Sequence, residues 1–133
     1  MTLTADHDAI ADAIAKICAR FGDDYWNTAD EQARFPEEFY RAIADAGWLG
    51  ICMPVELGGA GLGVTEAAIM MHQVARGGGG YAAASSIHLN IFGPHAIVVH
   101  GTDEQKKRFL PPLIQGKEKA CFGVTEPNSG LDT

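Results

Sequence analysis

The segment Lys119-Ala120-Cys121-Phe122-Gly123-Val124-Thr125-Glu126-Pro127-Asn128-Ser129-Gly130 decides how the rest of the chain is read. Residues 120–125 are short and apolar, which predicts a strand, and Glu126-Pro127-Asn128-Ser129-Gly130 has the residue types of a turn. A strand must pair its backbone N–H and C=O groups with a neighbour. Upstream the chain reads as five or six helices, so no partner strand is offered. The expectation is an all-α body ending in a single strand without a partner in this sequence. That strand pairs either with a second copy or with sequence outside these 133 residues.

The helices are read outward from that end. Thr102-Asp103-Glu104-Gln105 is a capping box that opens a helix disturbed by Pro111-Pro112 and finished by Gly116. Before it, a helix over residues 81–92 is separated by Gly93-Pro94 from a short piece ending near Val99. A third helix from about Thr65 to Arg76 turns Ala67, Met70, Met71 and Val74 inward. A second begins near Pro36, carries Phe39, Ile43 and Ala46 inside, and stops at Gly47. The first buries Ile10, Ala13, Ile14, Ile17, Cys18 and Phe21, with Thr4 or Asp6 as cap and Gly22 as stop. Residues 23–34 have weaker periodicity and settle no element.

Composition narrows the function. Of the 133 residues, 47% are hydrophobic and 20% charged, as in an ordinary globular domain, and the net charge of −7 disfavours nucleic acid or an anionic membrane surface as partner. Three widely spaced cysteines, Cys18, Cys52 and Cys121, suit neither a disulfide framework nor a metal site, which points to a reducing, cytoplasmic setting. The N-terminus lacks the basic region of a signal peptide. Residues 77–102 contain no Asp, Glu, Lys or Arg. Their serines, Asn90, three histidines and the Gly93-Pro94 break suit an element facing a cavity inside a protein better than a membrane span.

Several familiar chemistries are absent. Gly58-Gly59-Ala60-Gly61-Leu62-Gly63 fits no phosphate-loop register and reads as a helix-linking turn, and Gly77 to Gly80 reads as a linker. The five histidines have no metal-ligand spacing. No nucleophile elbow surrounds any serine. His88 lies on the uncharged helix beside Ser85, and reads first as a hydrogen-bonded core or interface histidine and second as a ligand contact. The tail offers backbone donors and one hydroxyl, then a loop shaped by proline and glycine. Such an edge can hydrogen-bond a flat heteroaromatic ring without supplying charge.

The segment Phe122-Gly123-Val124-Thr125-Glu126-Pro127, followed by Gly130 and Asp132, resembles the flavin-contacting signature of the acyl-CoA dehydrogenase family. Phe35-Pro36-Glu37-Glu38, Gly47-Trp48-Leu49-Gly50-Ile51, Pro54-Val55-Glu56-Leu57-Gly58-Gly59 and Gly101-Thr102-Asp103-Glu104-Gln105-Lys106 resemble further family blocks in the family's order. The resemblance implies an N-terminal α-helical domain over residues 1–117 and the start of a middle β domain over residues 118–133. It implies FAD as cofactor, an acyl-CoA as substrate, and α,β-dehydrogenation of the thioester.

By position, Phe122 takes the aromatic place beside the flavin, and Val124 and Thr125 meet the pyrimidine end of its ring. Leu131 stands where many members have a serine that serves the cofactor phosphates or the CoA arm, and leucine cannot donate that bond. The stretch around His88, Leu89 and Phe92 corresponds to the acyl-pocket wall. No residue here matches the family's catalytic base, and Glu126 belongs to the turn, so the chain alone is expected to be inactive. An electron-transfer flavoprotein is the implied acceptor, and a homo-oligomer the implied assembly of the full-length form. Two alternatives stand beside this: a non-catalytic helical module for oligomerisation or CoA binding, and the same domain of an acyl-CoA oxidase.

Overall fold

A computed structural model describes residues 4–123 and 125–130. Seven α-helices and two 3₁₀ turns make up the regular structure of these residues: α1 (Ala5–Cys18), α2 (Asp23–Glu31), α3 (Glu37–Asp45), 3₁₀ turns at Trp48–Gly50 and Val55–Leu57, α4 (Val64–Arg76), α5 (Gly80–Phe92), α6 (His95–His100) and α7 (Asp103–Ile114). The all-α body expected from the sequence is present.

Helix α1 starts in a reciprocal cap in which Thr4 and His7 serve each other's backbone. It lays Ile10, Ile14 and Cys18 against α4, which in turn packs on α5 through Met70, Val74, Ile87 and Ile91. Phe39, Tyr40 and Ile43 of α3 close the core and are fully buried. Burying a side chain of this size stabilises by roughly 1.5–3 kcal/mol, so the packed stripe rather than helix propensity holds the body together. Ala46, expected inside, is exposed, because α3 ends at Asp45 and the chain turns away at Gly47.

Of residues 23–34, which settled no element in sequence, Asp23–Glu31 form α2. Its packing is aromatic rather than aliphatic, which is why apolar periodicity understates it. Phe21, Tyr25, Trp26 and Phe39 meet edge to face with centroids 4.9 to 5.5 Å apart. The Trp26 indole N–H donates to the Phe21 carbonyl at 3.0 Å. The Gly77 to Gly80 run is more than a linker. A Cβ at Gly77 would stand 2.5 Å from Cys18 Cβ, and one at Gly79 would collide with the Trp26 ring. The run is thus glycine because α1 and α2 press on the α4–α5 corner.

The loop of residues 58–63 is a helix-linking turn, as its sequence suggested. Ala60, Gly61 and Leu62 give their amides to the Gly50, Met53 and Ile51 carbonyls at 2.8 to 2.9 Å, so those donors are spent inside the fold. Helix α7 differs from expectation, running through Pro111 and Pro112 to Ile114. Buried Leu110, Leu113 and Ile114 on its inner face outweigh the two backbone bonds the prolines forgo. Residues 120–123 and 125 form no strand. A lone extended segment has nothing to complete a ladder, and the helical body presents no sheet edge.

By length and composition, Gly80–His100 could cross a membrane, with mean hydropathy 1.2 over a window of which 28% is buried. Here it is two helices parted by a turn at Gly93 and Pro94, and Ile87, Asn90 and Ile91 sit in the core. Its outward side leaves Tyr81, Phe92 and Val99 exposed.

On the far side, Glu38 accepts from the Arg34 guanidinium at 2.9 Å and the Tyr25 hydroxyl at 2.8 Å. The Arg34 hydrogen bond, then its own backbone N–H and Tyr25, lower its carboxyl from 4.5 to about 2. A depressed carboxyl contributes stability that is present above its unfolded value and is lost as pH falls from about 4.5 towards about 2. Thermal melts across that window should fall less steeply for Glu38→Gln than for the natural chain, with the two converging at the acid end. The group is exposed, so the difference should be small.

Candidate functional site

Two features meet at the C-terminal end of the body: a groove over α5 and α6, and the tail that crosses it. The groove encloses about 530 Å³ and is lined by His88, Leu89, Phe92 and Val99 from the helices and by Phe122 from the tail. His95 and His100 complete its rim, and none of its lining side chains is formally charged. This size and apolar character suit a small organic group. Sequence-predicted His88, Leu89, Phe92 and Phe122 are therefore brought together, although Phe122 remains 72% exposed. Thr125 is exposed and stands apart from the groove lining. Val124 and Leu131 lie outside the described residues.

The tail is held at its root by a buried amide. Asn90, 3% exposed, points its Nδ2 at the Tyr40 hydroxyl (2.9 Å), the Glu118 carbonyl (3.0 Å) and the Leu113 carbonyl (3.2 Å). Its Oδ1 accepts from the Ala120 N–H at 2.9 Å. Two amide hydrogens are shared among three acceptors, so every face of the side chain is used. Burial pushes the Tyr40 phenol up, keeping it a donor, and it reaches the Glu118 carbonyl at 3.3 Å.

Gly116 makes the turn that delivers the tail to this anchor. Its φ of +65° is left-handed, and a Cβ there would stand 2.7 Å from Ala44 Cβ. Outside, Lys119 Nζ bonds Glu37 at 2.9 Å and lies 4.5 and 4.8 Å from the Phe35 and Tyr40 ring centroids. That lysine hydrogen bond is the main cause of the lowered Glu37 carboxyl. Arg108 adds a contact to Glu118 at 3.2 Å.

Beyond Ala120 the anchoring stops. The backbone N–H groups of Cys121, Phe122, Gly123 and Thr125, and the Thr125 hydroxyl, have no protein partner among the described residues. Glu126 takes part in the turn, its carbonyl accepting from the Ser129 N–H at 3.1 Å. The structure thus offers a fixed root, a run of uncommitted neutral donors, and an aromatic ring over a groove.

Residues 4–117 match the family model for the acyl-CoA dehydrogenase N-terminal domain. The chain belongs to the acyl-CoA dehydrogenase family. It is 39% identical over 103 residues to an acryloyl-CoA reductase (NADH) of Anaerotignum propionicum, covering 77% of this chain and 26% of that protein. It is 36% identical over 104 residues to a short-chain specific acyl-CoA dehydrogenase of Clostridium acetobutylicum, covering 78% and 27%. A solved structure described as the electron transferring flavoprotein of Acidaminococcus fermentans superposes with a TM-score of 0.86 at 28% identity, over 99% of this chain and 34% of that one. The chain thus spans about a quarter to a third of the length of these relatives.

Asn90 and Tyr40 were given no site role in sequence, and Gly116 was read only as the end of a helix. The available signal was modest: Asn90 is the only side-chain amide of α5, set between apolar Leu89 and Ile91. Replacing it tests the anchor. Asn90→Leu should lose roughly 2–4 kcal/mol of stability, from several buried polar groups left without partners. The Ala120 amide should exchange with solvent faster than in the natural chain, as read by hydrogen exchange.

Proposed function

We propose that this chain is the helical part of an FAD-dependent enzyme that interconverts an acyl-CoA and its α,β-unsaturated counterpart, in the dehydrogenating direction. The observation that carries the reading is the juxtaposition of Phe122 with His88, Leu89 and Phe92, on a tail whose donors are free just past a buried anchor. The relatives' names, an acryloyl-CoA reductase and an acyl-CoA dehydrogenase, describe that one transformation run in opposite directions.

The residues present fit a flavin. Thr125 supplies a hydroxyl and an amide without protein partners among the described residues, and Phe122 supplies an exposed ring. Those are the groups that a flat, neutral, acceptor-rich heterocycle requires. When bound, the flavin would take up the hydride that leaves the β carbon. In this role Thr125 and the Val124 backbone would hydrogen-bond the pyrimidine end of the ring, and Phe122 would stand beside it. Asn90 holds the tail's root, from which these donors would reach the ring. His88, Leu89 and Phe92 wall the acyl chain and keep water from it. Leu131 replaces a hydroxyl contact to the cofactor phosphates or the CoA arm, leaving that contact to the neighbouring backbone.

Removing the α proton of a thioester calls for a base, and Glu126 is exposed and stands apart from the groove lining. The reading therefore assigns the base, and the second half of the flavin cradle, to segments outside these 133 residues. The complete enzyme is read as a homo-oligomer that passes electrons to an electron-transfer flavoprotein, in the cytoplasm. The description of the superposed Acidaminococcus structure supports that partner.

Two measurements test this. The chain as it stands, given FAD, butyryl- to palmitoyl-CoA and a dye acceptor, should show no turnover, and clear turnover would refute the division of labour. In the full-length protein a flavin spectrum should appear, and Thr125→Val should slow flavin reduction by substrate roughly tenfold to a hundredfold, the worth of a charge-assisted hydrogen bond. An unchanged rate would remove Thr125 from the flavin.

A further inference from the structure

The groove over α5 and α6 is apolar on Leu89, Phe92 and Phe122, yet it carries three imidazoles, His88, His95 and His100. The contact made by His88 fixes its tautomer. Its Nδ1 lies 3.1 Å from the Ser85 carbonyl oxygen, an atom that only accepts, so Nδ1 bears the hydrogen. In the neutral ring Nε2 then holds the lone pair. That nitrogen has no protein partner among the described residues, and neither do the rings of His95 and His100.

A bare alkyl chain lying against half-buried His88 would strip water from its Nε2 and return nothing, which is the unfavourable case for a polar group. A ligand that brings its own donor replaces the lost water. Of the three rings, His88 is half-buried and fixed by Ser85, whereas His95 and His100 are exposed. We propose that the groove selects an acyl group whose distal end carries a hydrogen-bond donor, such as a hydroxyl on a ring, with His88 Nε2 as its acceptor. This rests on the reading of the groove as the acyl-binding wall, and it names the class of acyl group that wall favours.

The test uses the chain at pH 8, where histidine is ordinarily neutral, with ¹⁵N-labelled imidazoles. Two probes of one shape, p-cresol and toluene, are titrated and followed by NMR. A purely apolar groove holds toluene at least as well as p-cresol. The proposal expects p-cresol to bind roughly three- to tenfold more tightly, the factor that one net hydrogen bond supplies. The largest shift should fall on His88 Nε2. His88→Phe should abolish the preference, and His88→Gln, which keeps an acceptor, should retain part of it.

Equal or tighter binding of toluene would overturn the proposal. So would absence of binding by either probe, a preference that survives His88→Phe, or a free chain in which Nε2 bears the hydrogen. If His88→Phe does not fold, the natural chain's tautomer and probe preference still decide. Neither flavin nor CoA enters the measurement. A full-length protein without flavin would defeat the enzymatic reading and leave this result intact, and the reverse also holds.

Discussion

The side-chain amide of Asn90 sits where three parts of the chain converge: the last turn of α5, the end of α7, and the start of the tail. A buried amide is costly unless its donors and acceptor are all used, and here they are. Its satisfaction depends on the Leu113 and Glu118 carbonyls being where Gly116 puts them, and on the Tyr40 hydroxyl reaching in from α3. The same bonds that make the amide affordable also determine where the tail leaves the body. Packing of α1, α4 and α5 gives the platform, but the amide links that platform to the segment with uncommitted donors.

The outward side of α5 and α6 has a composition unusual for a solvent-facing surface, with no charge from residue 77 to 102. Its inner residues are explained by the core. Its outer residues, Tyr81, Phe92 and Val99, are not, since they remain exposed in the chain by itself. Such a face is stable in water only as a small patch, and larger apolar patches mark surfaces that meet something else. The proposed assembly into a longer flavoprotein provides the cover. The relatives, three to four times longer than the segment they share with this chain, are consistent with that cover coming from the same polypeptide.

Helices with aliphatic stripes were legible in the sequence, as α1 and α4 show, because a period of 3.6 in Ile, Met and Val has one simple physical cause. Helix α2 was not, because its contacts are made by large aromatic rings from neighbouring turns and need no regular stripe. The prolines of α7 misled in the other direction: local propensity argues for a break, while buried Leu110, Leu113 and Ile114 impose continuity. The groove residues His88, Leu89 and Phe92 and the ring of Phe122 were reached through a family motif and then found together. The anchoring role of Asn90 and the close approach at Gly116, read in sequence only as a helix stop, escaped, since a single polar residue and a single glycine acquire meaning only once the fold shows which carbonyls and which Cβ atoms surround them.

The missing strand follows from the same logic as the anchor. Up to Ala120 the tail's root is tied to the body through the Lys117, Glu118 and Ala120 N–H groups and the Glu118 carbonyl, and after it the described residues have no ladder to join. Had residues 121–125 folded onto the helices, their amides would be consumed as those of Ala60, Gly61 and Leu62 are in the glycine-rich loop. That loop, rich in donors by sequence, can offer none of those three to a ligand. The tail keeps its donors because a sheet-forming sequence finds no sheet in an all-helical body. Availability for a ligand or for a neighbouring strand is therefore a consequence of the mismatch between the tail's local preference and the body it is attached to.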